Sequence, residues 1–188
     1  MNRDYKQIGS FEMTDTIMRV SDPCFDTTTW CCGTIPNCLT GQWDSAVVYS
    51  DEGIMGQRIA LLVAKHSGSV HSFDLCDKIR ADEENIYYSA GWEVCGFEVG
   101  VDSGQAGFFD EAHYQDESVF AGHPAPHVSY GGLWYSHCCD RTLSEDQAGT
   151  IPYGVISCSG YGDGGYTALM HKTAGGQVDC VAIVYLAD

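Results

Sequence analysis

The stretch Gly91–Asp110, GWEVCGFEVGVDSGQAGFFD, decides the fold expected for this chain. Its first part, Trp92–Val101, is long enough for a full strand and is rich in residues that favour pleated structure. A turn signal follows at Asp102-Ser103-Gly104, and the β pattern resumes at Ala106–Phe109. The stretch therefore predicts two β segments that meet at a turn containing an aspartate.

A second stretch near the C-terminus has the same order of features. Val155–Ser159 is followed by the glycine-rich turn Gly160–Gly165, which contains Asp163, and then by Tyr166–Met170. Asp102 and Asp163 are the candidate metal ligands, because two carboxylates on turns can bind a hard cation or act as an acid–base pair. The alternative is that each aspartate bonds the amides of its own turn while glycine supplies positive φ.

The rest of the chain predicts mostly strands. Ile59–Ala64 is continuously apolar, which is typical of a strand buried on both faces, and the same argument makes Val178–Leu186 a central strand. Gly154–Ser159 and Tyr166–Lys172 are expected to form a hairpin or an adjacent pair. The remaining predicted strands are Thr16–Val20, Gly41–Ser50, Gln57–Lys65 and Leu133–Cys139.

Helix-period segments are few and short. Asp74–Glu84 is the best of them, because Leu75 and Ile79 are four residues apart and can share one face. No helical segment is long enough to connect parallel strands. The sequence therefore predicts an all-β or β-dominated α+β fold, a compact antiparallel sandwich-like single domain over residues 1–188 with one or two short helices.

Charge limits the classes of partner. The chain of 188 residues has 26 acidic and 9 basic side chains, a net charge of −17, and most of the excess lies after residue 70. Binding to nucleic acid or to an anionic membrane through a broad basic face is therefore excluded. Acidity gives solubility, and it also attracts a basic protein groove.

The densest carboxylates form an acidic series in two segments. Closely spaced carboxylates can imitate the phosphate charges of nucleic acid, so these residues are the predicted partner-binding surface, with a plain solvated face as the alternative. The members of the acidic series are Asp74, Asp77, Asp82, Glu83, Glu84, Asp110, Glu111, Asp116 and Glu117.

Ten cysteines raise the question of compartment. The N-terminal residues contain no apolar core of a signal peptide, and no stretch approaches ~18 apolar residues. We therefore expect a cytoplasmic protein with mostly free thiols. The cysteines lack the CxxC spacing of zinc sites, and neither Ser103 nor Ser159 matches a nucleophile elbow, so the sequence predicts no catalytic residue and no cofactor.

Several motifs follow one another along the chain: VSDPCF at Val20–Phe25, Thr29-Trp30-Cys31, GQW at Gly41–Trp43, GQRIALL at Gly56–Leu62, VDSGQAGFFD at Val101–Asp110 and SGYGDGGY at Ser159–Tyr166. In this order they resemble an uncharacterised family of small phage and bacterial cytoplasmic proteins. The resemblance covers most of the chain and implies a compact β-rich protein in a phage or mobile-element setting, with no activity to carry over. Together with the charge, it leads to the expectation of a protein that binds and inhibits a basic nucleic-acid-handling host protein, such as a defence nuclease. The alternative is a small metal-binding protein or hydrolase that uses Asp102 and Asp163.

Overall fold

The computed structural model describes residues 5–73, 79–81, 86–88 and 91–186, and within them the fold is β-dominated, as predicted. Within these described ranges, one α-helix, α1 (Leu133–Thr142), and three complete 3-10 turns (Gly53–Met55, Glu111–His113 and Glu117–Phe120) accompany the strands. The strands are β1 (Tyr5–Met13), β2 (Met18–Ser21), β3 (Gly33–Ile35), β4 (Gly41–Asp51), β5 (Gln57–His66), β6 (Ile79–Ala81), β7 (Ile86–Tyr88), β8 (Trp92–Val101), β9 (Gln105–Asp110), β10 (Ala148–Ile151), β11 (Gly154–Cys158), β12 (Gly164–Lys172) and β13 (Val178–Val184).

The strands form two antiparallel sheets and one small ribbon. The larger sheet has the order β1-β4-β5-β13-β12-β8, the smaller has the order β10-β11-β9-β2-β3, and β6 pairs with β7. β13 pairs with both β5 and β12 near the middle of the larger sheet, so the expectation of a central C-terminal strand is confirmed.

Among the described residues, the core consists of three apolar clusters, two of which cover the two faces of the larger sheet. The largest apolar cluster fills the space between the two sheets, and Phe11, Leu62 and Phe108 belong to it. A second cluster covers the outer face of the larger sheet, where Leu61 packs with Ile79 of the ribbon. Since apolar residues of β5 belong to both clusters, the continuous apolar run of that strand follows from burial on both faces.

The stretch Gly91–Asp110 and the second stretch, near the C-terminus, pair with each other strand by strand. β8 and β9 lie in different sheets, as do β11 and β12, so each stretch turns a corner from one sheet to the other. β8 pairs with β12 with Val101 opposite Gly164, and β9 pairs with β11 with Gln105 opposite Cys158. At the corner, the Ser159 amide donates to the Gly104 carbonyl at 3.0 Å. The two aspartate-containing turns therefore lie side by side.

Three sequence predictions need correction. Leu133–Cys139 is helix rather than strand, because Trp134 and Cys138, four residues apart, share one helix face and pack under the smaller sheet. Gly154–Ser159 and Tyr166–Lys172 form no pair with each other, because their strands lie in different sheets. Within Asp74–Glu84, the described residues 79–81 form strand β6 rather than helix, and the remainder lies outside the described residues.

The described cysteines form no disulfide bonds. The nine cysteines among the described residues are free thiols, five of them buried. Burial raises the pKa of Cys38, Cys95 and Cys180 to about 12. None of the described helices has the length and apolar character needed to cross a membrane.

Candidate functional site

The corner between the sheets is held by a buried aspartate that the sequence does not single out. Asp22 is fully buried, and its carboxylate accepts four hydrogen bonds. The donors are the amides of Cys24 (2.8 Å), Asp102 (2.9 Å) and Ser103 (2.7 Å) and the Ser103 hydroxyl (2.6 Å). The Asp102 turn is therefore fixed by a carboxylate from the loop after β2, rather than by its own side chain.

A shallow hollow of about 420 Å³ opens beside this corner, and we call it the corner depression. Two glycines that face each other on β8 and β12 make room for it. A Cβ on Gly100 would lie 2.5 Å from Cys31 Sγ, and a Cβ on Gly165 would lie 2.6 Å from the Glu98 carboxyl carbon. The missing side chains let the Trp30–Cys31 loop and the Glu98 carboxylate lie directly over the sheet. The corner depression is lined chiefly by Trp30, Cys31, Glu98, Gly100, Asp102 and Asp163.

The corner depression combines negative charge with an exposed aromatic ring. Asp102 and Asp163, the two candidates of the sequence analysis, both lie exposed on its wall with Glu98. Trp30 is 86% exposed, which is unusual because tryptophan side chains are large and on average highly buried. Burial raises the pKa of the Cys31 thiol, and the nearby charges of Asp102 and Glu98 raise it further. Among the described residues, no basic side chain lines the hollow.

The four described members of the acidic series mostly make hydrogen bonds or ion pairs within the protein. Asp110 is 0% exposed and accepts bonds from Thr14 and Asp15 and from the Ala112 amide. The prediction that Asp110 belongs to a partner-binding surface is therefore wrong, because a buried carboxylate that closes a turn cannot reach another protein. Glu111 forms a two-pronged ion pair with Arg19, whose pKa it raises by hydrogen bonding.

Asp116 and Glu117 remain at the surface but act as caps. Asp116 accepts the Ser118 amide at 2.9 Å, and hydrogen bonding to Ser118 lowers its pKa. Glu117 Oε1 accepts the Leu133 amide at 2.7 Å at the start of α1. Asp116 is the N-cap of the Glu117–Phe120 turn, and Glu117 binds the first amide of α1 from outside the helix, so both have structural roles that leave their charge accessible. Asp74, Asp77, Asp82, Glu83 and Glu84 lie outside the described residues.

A second hollow, of about 440 Å³, contains a group of side chains that the sequence analysis missed. His71, His171 and Asp179 offer three donor atoms within 4.8 Å of one another, and we call them the histidine cluster. His171 Nδ1 lies 2.7 Å from Asp179 Oδ1, and the Ser69 hydroxyl donates to Asp179 Oδ2 at 2.8 Å. The two imidazole rings meet edge to face, with their centroids 4.3 Å apart.

No local spacing could have revealed the histidine cluster. His71 follows β5, His171 lies on β12 and Asp179 lies on β13, so the donors come together only through strand pairing. The pairing register jumps from His171–Cys180 to Lys172–Val178, which leaves Asp179 as the extra residue of a β-bulge. Bulges re-aim side chains and are frequent beside functional sites.

Comparisons of the chain with protein-family models, with curated proteins and with solved structures give no match. The two hollows are therefore the features of the molecule that bear on its function.

Proposed function

We propose that the protein binds a basic, nucleic-acid-handling partner, of which a defence nuclease is one kind, and inhibits it by occupying the groove that receives nucleic acid. The observation that carries the proposal is the corner depression, which an exposed Trp30 lines together with three carboxylates. A groove that binds phosphates presents arginine and lysine side chains. The carboxylates of the corner depression are complementary to such side chains in charge.

The chemistry of the contact follows from the residue types. A guanidinium that enters the hollow can pair with Glu98, Asp102 or Asp163 and stack against the Trp30 ring. Cation–π contacts with tryptophan contribute about 0.5–2 kcal/mol, depending on how far the pair is desolvated. Tryptophan and arginine are also the residues that most often dominate the energy of protein interfaces.

The net charge of −17 acts at longer range. It steers a basic partner towards the protein, and this attraction weakens as the Debye length falls from ~10 Å at 0.1 M salt to ~3 Å at 1 M. Asp116 and Glu117 keep accessible charge and contribute to this field, whereas Asp110 does not, because its carboxylate is buried.

The experiment separates the corner depression from net charge. The chain is immobilised, host cytosol is passed over it at low salt, and proteins eluted by salt or by excess nucleic acid are assayed for nuclease activity with and without the chain. The test variant E98Q/D102N/D163N and the control variant E12Q/D51N/E145Q remove the same three units of negative charge, the control from exposed or partly exposed sites elsewhere.

We expect the test variant to lose most of the capture and inhibition and the control variant to keep most of it. Trp30→Ala should weaken binding about 5- to 30-fold, corresponding to 1–2 kcal/mol. Tyr130→Ala, which removes another exposed aromatic ring, is the control for Trp30→Ala. Equal losses in both triple variants would leave only a general charge effect, and failure to capture any nucleic-acid-handling protein would reject the proposal.

A further inference from the structure

The histidine cluster lies in its own hollow, and the proposed partner binding does not use it. Its donors are two imidazoles and a carboxylate. Imidazole suits zinc and the other late first-row transition metals, whereas Mg²⁺ and Ca²⁺ select sites made of oxygen alone. Three protein ligands with an open fourth position is also the ligand count of zinc sites that hold an exchangeable water.

We propose that His71, His171 and Asp179 bind one divalent transition-metal ion of the zinc class. The first support is the way the bulge between β12 and β13 brings Asp179 to His171. Asp179 is only 3% exposed, and a carboxylate taken out of water needs positive charge or hydrogen-bond donors nearby. A metal ion supplies that charge between Asp179 and the two imidazoles.

The second support is the orientation of His171. A Cβ on Gly91 would lie 2.6 Å from His171 Nε2, so the backbone at Gly91 covers that edge of the ring. Nδ1 is the nitrogen that faces Asp179, at 2.7 Å from its Oδ1. The metal ligands on the sheet are therefore His171 Nδ1 and Asp179 Oδ1. When the metal binds, it takes the place of the hydrogen atom in the hydrogen bond between them.

The third support is an outer contact of the kind that orients metal ligands. Ser69 Oγ donates to Asp179 Oδ2 at 2.8 Å, which leaves Oδ1 directed at His171. Hydrogen bonds to the second atom of a ligand group fix its orientation in metal sites. Ser69 and His71 belong to the same short segment after β5, so this segment supplies both a ligand and the residue that positions another.

The distances permit binding after a small adjustment. Bond lengths of about 2.0–2.1 Å to zinc place tetrahedral ligand atoms roughly 3.3 Å apart. The His171–Asp179 pair, at 2.7 Å, has to open slightly, and His71, whose donor lies within 4.8 Å of the others, has to approach. His71 lies on the segment after β5, whereas His171 and Asp179 lie on paired strands, so His71 is the ligand best able to move. The hollow leaves room for a fourth ligand, a water or a small anion.

The test is a titration of the full chain, stripped with chelator, with Zn²⁺ by calorimetry and with Co²⁺ by absorption spectroscopy. We expect one ion per chain at this site. Co²⁺ should show d–d bands without the thiolate charge-transfer band, because the ligands are nitrogen and oxygen. His71→Ala should weaken binding more than about 100-fold, and Ser69→Ala by about 10- to 100-fold, the usual cost of losing an outer contact.

The matched control is a second histidine–aspartate pair. His127 Nδ1 lies 3.0 Å from Asp140 Oδ1, and the His127 side chain is 92% exposed. His127→Ala should leave the titration unchanged. Circular dichroism checks that His71→Ala and Ser69→Ala keep the wild-type fold, and Asp179→Asn gives a further ligand variant.

Three outcomes overturn the proposal. One is the absence of saturable Zn²⁺ or Co²⁺ binding to the wild-type chain. Another is binding that His71→Ala, Asp179→Asn and Ser69→Ala all leave at wild-type strength while folded. The third is a Co²⁺ spectrum dominated by thiolate charge transfer that disappears when the cysteines are alkylated, because the metal would then be bound by the cysteines.

Discussion

The corner depression and the hollow that contains the histidine cluster have similar volumes, about 420 and 440 Å³. They differ in which groups the protein holds in place, backbone or side chains. In the corner depression, Glu98, Asp102 and Asp163 are exposed, and the ordered hydrogen bonds belong to the backbone beneath them, through Asp22. In the histidine cluster, the carboxylate of Asp179 is itself buried and ordered, by Ser69 and His171.

This difference indicates what each hollow can bind. Exposed carboxylates on a fixed backbone can follow the varied side chains of a protein partner, because each keeps its rotamer freedom until contact. A small ion needs ligand atoms placed in advance, because it offers few contacts to compensate for ordering them. The protein therefore fixes backbone at one hollow and side chains at the other.

The largest loss of stability is expected when the hydrogen bonds that support the corner depression from beneath are removed. Asp22→Ala leaves the amides of Cys24, Asp102 and Ser103 without their acceptor, so we expect a loss of about 3–5 kcal/mol in the free energy of unfolding. Urea denaturation measures it, with Glu145→Ala on the exposed surface as a control close to the wild type. A loss under about 1 kcal/mol would mean that the corner does not depend on Asp22.

The next effect compares two glycines with positive φ, one beside each hollow. Gly91 has φ +93° and would bring a Cβ against His171, whereas Gly104 has φ +70° and open space around it. Gly91→Ala should cost about 2–3 kcal/mol and Gly104→Ala about 1 kcal/mol, since only the first adds a clash to the backbone strain. Thermal denaturation gives the stabilities. The metal titration should weaken in the first variant alone, and equal behaviour would remove the proposed role of Gly91.

A smaller effect contrasts the two kinds of carboxylate directly. Asp179→Asn alters a buried group that accepts from Ser69, so we expect it to cost about 1–3 kcal/mol. Asp102→Asn and Asp163→Asn alter exposed groups and should cost about 0.5 kcal/mol or less each. Urea denaturation of the three variants ranks them. A large loss at Asp102 or Asp163 would show that these aspartates support the turns after all.

The smallest effect uses thiols as reporters and leaves the fold intact. Cys31 lines the corner depression and is partly exposed, whereas burial raises the pKa of Cys180, next to Asp179, to about 12. Iodoacetamide at mildly alkaline pH should modify Cys31 and spare Cys180, because alkylation needs an accessible thiolate. Raising the pH towards 9 should speed the reaction at Cys31 first. Peptide mass spectrometry reads both sites, and reaction of Cys180 at the same rate would show that the larger sheet opens at this strand.

The elements that the sequence predicts correctly are those whose burial produces a clear local pattern of apolar residues. Ile59–Ala64 is apolar at every position, and it forms the part of β5 that is buried on both faces. Leu133–Cys139 has no such clear period, and packing beneath the smaller sheet makes it helical instead of extended. Short apolar runs are ambiguous between helix and strand until their tertiary neighbours are known.

The candidate site could be predicted only in part, for the same reason. The glycine-rich turns marked Asp102 and Asp163, and the strand pairing placed both on one hollow. No local pattern indicates that Glu98 and Trp30 join them, because Gly100 and Gly165 create that space across two strands. Asp110 looked like the other acidic residues of its segment, and only tertiary burial separates it from them.

The sequence by itself determined the β-dominated fold, the two corner turns and the negative charge, because periodicity, turn chemistry and net charge are local or additive properties. The tertiary structure decided which carboxylates are buried and which are exposed. It also brought together His71, His171 and Asp179, residues up to 108 positions apart, through strand pairing and one bulge. Pairing between distant strands depends on the whole sheet, so no single segment of the sequence encodes it.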